Sequence, residues 1–154
     1  MFNAPTLDDM LGHAASLGIT VCRAKLEGAL GLWDAKTRHI WIDSRLTDSA
    51  ATPVLAHELL HVQRGDNGHQ NQDVEQAIDA HVAFLMVDPK AYAQAESLYE
   101  TDTHAIAEEL NLPEWVISAY ERTCMENLMH QYRPRASAQR PAKPPCREPH
   151  QSGH

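Results

Sequence analysis

The chain has few cysteines, few basic residues and no long apolar run, and each shortage excludes a class of protein. Its three cysteines, Cys22, Cys124 and Cys146, are odd in number, widely spaced and nowhere in a C-x-x-C pair. That excludes a disulfide framework and a cysteine-built structural zinc site, and it points to reduced thiols in a cytoplasmic protein. No stretch approaches the roughly 18 unbroken apolar residues that mark a membrane span. The opening Met1-Phe2-Asn3-Ala4-Pro5 has no basic stretch followed by an apolar core, so no secretory leader is expected. Internal repeats are absent.

Basic residues number 13 against 21 acidic ones, for a net charge of −8. The imbalance is uneven. After Tyr132 come Arg133, Arg135, Arg140, Lys143 and Arg147 with one acid, Glu148, so the body before them carries eight basic and twenty acidic residues, a net −12. Such a body is a poor electrostatic match for a phosphate backbone. A basic protein segment suits it better. From Pro134 onward Ala, Ser, Gln, Arg, Lys and Pro dominate, a composition that cannot bury a core. We therefore expect one domain over residues 1–132, of ordinary size for 154 residues, and a disordered tail over 133–154.

What the chain does have is His57-Glu58-Leu59-Leu60-His61, an H-E-x-x-H pattern. On a helix, residues four apart stand on one face about 5–6 Å apart at Cβ. Two imidazoles so placed can grip one Zn²⁺, and Glu58 can act as general base toward a water at the metal's open position. Downstream, Glu75-Gln76-Ala77-Ile78-Asp79 offers a third ligand, Glu75, and one turn later a carboxylate, Asp79, to accept the spare N–H of a ligand His. Mn²⁺ or Fe²⁺ would also suit a His₂Glu set. The bland alternative is a buried helix whose histidines are merely hydrogen-bonded. The metzincin continuation fails, because Arg64 and Asn67 stand where Gly and His are needed. His69, on a loop after Gly65 and Gly68, is a possible ligand, but solvation is the default expectation. His81 reads as a surface or supporting group. A donor to the reaction's oxyanion should also exist; Tyr92, His81 and His104 are candidates without a spacing argument.

The fold expected is α+β and zincin-like. Thr6 can cap a first helix that Gly18 ends. Runs at Ile19–Ala24, Gly28–Trp33 and His39–Asp43 read as three antiparallel strands, the last two joined by a hairpin turn at 34–37. The metal helix can start at a Thr52 cap with Pro53 in its first turn, or earlier at Thr47 with Pro53 kinking it. Asp73 can cap the next helix, which Asp88-Pro89 breaks. Further helices are expected at Lys90–Glu100, Thr103–Leu110 and Pro113 to about Gln131. Within 104–121 the spacing mimics a helix-turn-helix. Its second helix offers Glu114, Trp115, Ser118, Glu121 and Arg122 rather than a basic reading face, so a packed pair is expected, not a DNA reader. Tyr92, Tyr99, Trp115 and Tyr120 read as packing aromatics.

Beyond these local readings, the chain resembles the ImmA/IrrE family of zinc metallopeptidases, most closely its short actinobacterial and phage versions. The resemblance lies in Gly31-Leu32-Trp33-Asp34, Ile40-Trp41-Ile42-Asp43-Ser44-Arg45-Leu46-Thr47, Leu55-Ala56-His57-Glu58-Leu59-Leu60-His61, Arg64-Gly65-Asp66, and Glu75 through Asp79 and Ala83 to Asp88-Pro89. It covers about residues 19 to 90. It implies His57, His61 and Glu75 as ligands of one Zn²⁺, Glu58 as base and Asp79 as a supporting partner. It also implies a cytoplasmic protein substrate, since described members cut transcriptional repressors of mobile elements or damage responses. Where the family often ends the third-ligand helix Leu-Leu-Met-Pro, this chain has Leu85-Met86-Val87-Asp88-Pro89. A non-catalytic regulator that keeps the metal fold and binds a repressor or toxin is the rival expectation, with the intact Glu58 counting against it.

Overall fold

The computed structural model describes residues 1–132. The elements run α1 (Leu7–Ser16), β1 (Thr20–Ala24), β2 (Gly31–Asp34), β3 (His39–Asp43), α2 (Asp48–Arg64), α3 (Gln72–Met86), α4 (Pro89–Tyr99), α5 (Thr103–Leu110) and α6 (Glu114–Tyr132). The class is α+β. The tail expected at 133–154 lies outside the described residues.

The sheet departs from the all-antiparallel expectation. Its order is β1-β3-β2, with β3 antiparallel to β2 but parallel to β1. The physical reason is burial. β3 holds the fully enclosed Ile40 and Ile42, whereas β1 is half-exposed along its length, so the most apolar strand takes the centre. The chain crosses from β1 to the far side and returns through the hairpin. That turn is held by Asp34, whose carboxylate accepts the Lys36 and Thr37 amides and the Thr37 hydroxyl. Side chains that stabilise a turn are visible in sequence; the order of strands in the sheet is not.

Helix starts also differ in two places. α2 is capped by Thr47, whose hydroxyl accepts the Ala50 N–H, and it runs unbroken through Pro53. Thr52 is not a cap; its hydroxyl donates to the Asp48 carbonyl at 2.8 Å. A proline inside a helix removes one backbone hydrogen bond. Here the surrounding residues are almost all buried, and packing keeps the segment helical. α3 is capped by Asn71, not Asp73, through the Val74 N–H at 3.1 Å. The α1 start agrees with expectation, and Thr6 and Asp9 form a reciprocal capping box.

Two apolar clusters meet at α2. One joins the sheet to α1 and α2 through Ala14, Trp33, Ile40, Ile42, Val54, Leu55 and Leu59. The other packs α3 to α6 through Ile78, Val82, Ile106, Val116 and Ile117, with Ala56 reaching in from α2. Trp115 packs against both. The helix-turn-helix-like stretch is thus a packed pair, its apolar face inside the second cluster. No helix among the described residues is long and apolar enough to cross a membrane.

Candidate metal centre

α2 and α3 pack side by side, and the helical period puts His57 and His61 on one face of α2, Glu75 and Asp79 on one face of α3. The four side chains meet between the helices. His57 Nε2 lies 2.9 Å from Glu75 Oε2, and His61 Nε2 lies 3.0 Å from Glu75 Oε1. One ligand atom from each of His57, His61 and Glu75 falls within 4.8 Å of the others. Glu75 sits in the first turn of α3, where the helix dipole favours a carboxylate, and the Gln70 N–H donates to its Oε1 at 2.7 Å.

Each imidazole is fixed from behind. Asp79 Oδ1 faces His57 Nδ1 at 2.9 Å, and Asp66 Oδ2 faces His61 Nδ1 at 2.9 Å. The His61 contact and the Arg64 guanidinium hold the Asp66 carboxyl below its ordinary range, so Asp66 is an ionised acceptor. A neutral His61 therefore carries its proton on Nδ1 and keeps a lone pair on Nε2. A neutral His57 that gives its Nδ1–H to Asp79 likewise keeps its lone pair on Nε2. Two nitrogen lone pairs then face one carboxylate at about 3 Å. Acceptors so opposed need a proton or a cation among them. A His₂-carboxylate donor set of this kind fits a divalent ion such as Zn²⁺. Burial opposes charging of His57, but the Asp79 hydrogen bond and the Glu58, Asp79 and Glu75 carboxylates outweigh it and raise its pKa. Burial also opposes ionisation of Glu75, yet the Gln70 amide and the two histidines win and hold its carboxyl low.

Glu58 is 2% exposed. Burial is the largest influence on it and pushes its carboxyl up, against the pull of His57, His69 and His61. Its Oε2 is enclosed with no hydrogen-bond partner, an uncommon and costly state for a buried polar atom. The carboxylate opens on a cavity of about 250 Å³ walled by Leu30, Gly31, Val54 and Trp115 and floored by His57 and Glu75. Gly31 lets β2 approach. A Cβ there would stand 2.6 Å from Val54 Cγ1 and 3.1 Å from Glu58 Oε1, closer than atoms pack.

Sequence reading assigns Asp66 no role at His61 and offers His69 only as a possible ligand, whereas the convergent donor set is His57, His61 and Glu75. Gly65, at φ +79, ends α2 in the left-handed conformation and turns the chain back, which brings Asp66 to His61. His69 lines the cavity with Nε2 3.5 Å from Glu58 Oε1; it is not simply a solvated loop residue. The glycines on either side were the available signal. Trp115 does more than pack, since it also walls the cavity. The three oxyanion candidates lie elsewhere. Tyr92 packs at a tilt against Tyr120, ring centroids 4.8 Å apart, His104 is held by Glu108 and Glu114, and His81 is exposed on α3.

A paired-histidine and carboxylate cluster beside a buried glutamate, on an α+β scaffold, is the equipment of a metal-dependent peptidase. Residues 14–119 match the model of the IrrE N-terminal-like domain of the Peptidase_M78 family, and the chain belongs to that family. No curated protein shows significant sequence similarity to the chain.

Proposed function

We propose that the chain is a zinc-dependent endopeptidase that hydrolyses a peptide bond in a cytoplasmic protein, a transcriptional repressor of a phage or other mobile element being the substrate. The observation that carries this reading is the three-way meeting of His57 Nε2, His61 Nε2 and the Glu75 carboxylate beside a buried glutamate. In this reading His57, His61 and Glu75 hold one ion, Asp79 orients His57, and Glu58 is the base. When bound, Zn²⁺ supplies Lewis-acid polarisation of the scissile carbonyl and lowers the pKa of a water toward about 7.

The chain's own residues do the rest. Glu58, its carboxyl raised by burial, takes a proton from the attacking water and then delivers one to the departing amine. Leu30, Val54 and Trp115 exclude bulk water and receive an apolar side chain. Among the described residues the outer edge of β2 has no strand beside it, and an extended substrate would add to it there. The acidic body favours a basic protein segment over nucleic acid. The peptidase unit in this reading is 1–132, and 133–154 lies outside it.

The test is co-expression with a repressor encoded beside it. Wild type should cut the repressor, and Glu58→Gln should cut about 10²–10⁴-fold more slowly, the usual worth of general acid–base catalysis. If both relieve repression without cutting, the chain is a non-catalytic metal-containing regulator and the peptidase reading is wrong.

A further inference from the structure

Among the described residues, His69 is the one titratable side chain lining the cavity with no part in holding an ion, fixing a ligand or taking a proton. Its loop is nevertheless tied to the site from both ends. Upstream, Asp66 holds His61 through its carboxylate, while its carbonyl accepts the Trp33 Nε1–H at 2.8 Å. Downstream, the Gln70 amide is bonded to Glu75. Between them Gly68, at φ +79, makes a turn that other residues adopt only with strain. The result brings the ring to within 3.5 Å of Glu58 Oε1 through Nε2. The ring stands 6.3 Å from His57, edge to face, and 6.0 Å from His61. Its side chain stays 46% exposed, so part of it meets open space.

Resting on the peptidase reading, we infer that His69 is a further catalytic residue, its Nε2–H donating a hydrogen bond to the scissile carbonyl oxygen as that oxygen gains negative charge. A group 3.5 Å from the base's carboxylate is within reach of atoms that react there. The role needs no change of protonation, because a neutral imidazole with its proton on Nε2 is a donor. Donors aimed at charge that develops only in the transition state are among the largest single contributions to catalysis. The Trp115 Nε1–H, the other donor on the wall, is enclosed by protein and does not face the open side.

The experiment uses the full-length Zn²⁺-loaded chain and its His69→Ala and His69→Gln variants. A proteome-derived peptide library, read by mass spectrometry, yields a cleaved peptide. Then kcat and KM on that peptide, affinity for its phosphinic pseudopeptide analogue and Zn²⁺ affinity by chelator competition are measured. For His69→Ala we expect kcat to fall about 10²-fold or more with KM little changed, as for loss of one oxyanion donor. Affinity for the phosphinic analogue should fall by a similar factor, since it mimics the transition state. Zn²⁺ affinity should stay within about threefold, well short of what loss of even a supporting partner costs. His69→Gln, which keeps an N–H donor, should recover about tenfold in kcat, part of what one donor contributes. A kcat for His69→Ala equal to wild type overturns the assignment. So does a large loss of Zn²⁺ affinity, which would make His69 a ligand. A fall in kcat with unchanged phosphinic affinity would make it only a prop for Glu58. A wild type that cleaves nothing in the library removes the peptidase reading itself, whereas an active wild type with an indifferent variant removes His69 alone.

Discussion

The Asp66 carboxylate accepts the Nδ1–H of His61 at 2.9 Å, only five residues along the chain. His61 is fully buried, with this carboxylate as the partner of its Nδ1. Asp66→Ala should therefore weaken Zn²⁺ binding by about 10–100-fold, the usual effect of removing such a partner. Asp79→Ala should do the same through His57. Chelator competition measures both, and unchanged affinity in either variant would show that the partner does not set the imidazole.

Gly31 makes a second prediction. A methyl at this position meets Val54 Cγ1 at 2.6 Å, and overpacking of this kind costs about 1–3 kcal/mol. Gly31→Ala should be destabilised by about that amount, and Val54→Ala should relieve part of the cost. Urea unfolding of the two single variants and the double should reveal a favourable coupling of about 0.5 kcal/mol or more. Strict additivity would mean that the strand backs away from α2 freely.

Metal removal should be felt by the whole fold. An ion that binds only the folded chain stabilises it by about 4 kcal/mol at a thousandfold excess over its Kd. Thermal unfolding of chelator-treated protein should rise in midpoint on adding Zn²⁺. Glu75→Gln should lose most of that rise, since it removes the carboxylate from the donor set. Identical midpoints with and without the ion would argue that the three side chains hold none.

The pair Asp43–Arg45 sets an acid limit. Hydrogen bonds from the Arg45 guanidinium and backbone N–H, with the guanidinium's charge, hold the Asp43 carboxyl below its usual range. A carboxyl depressed in the folded state adds stability that is present above the unfolded value, about 4, and is lost as pH falls through the lower folded value. Urea midpoints should drop in that acid window for wild type and drop less for Arg45→Met. A variant with the same acid slope would assign the acid loss to other carboxylates.

The sequence was most legible where helical periodicity governs. His57 with His61, and Glu75 with Asp79, are each one turn apart on helices long enough to be recognised, and packing those helices brings the four together. The Thr6 cap of α1 and the 34–37 turn were readable because both rest on local side-chain chemistry. Strand order was not, because alternation in β1 and β3 says which face is buried but not which neighbour is paired or in what direction. Competing caps were ambiguous too. Thr47 and Thr52 are both candidates for α2, and Asp73 is the expected cap of α3 where Asn71 serves; these are all good cap oxygens, and residue type does not choose between them. Asp66 and His69 sit on a loop, where spacing does not fix direction, so their convergence on the site follows from Gly65 and Gly68 and from bonds to Trp33 and Glu75.

The seam at α2 has a consequence for how the molecule comes apart. His57 and His61 ride on the helix both clusters share, whereas Glu75 belongs to the α3–α6 side alone. Partial opening of that side, leaving the sheet intact, separates the carboxylate from both rings. Amide hydrogen exchange in α3 should therefore slow on ion binding more than exchange in β3, because the ion ties α3 to α2 through Glu75.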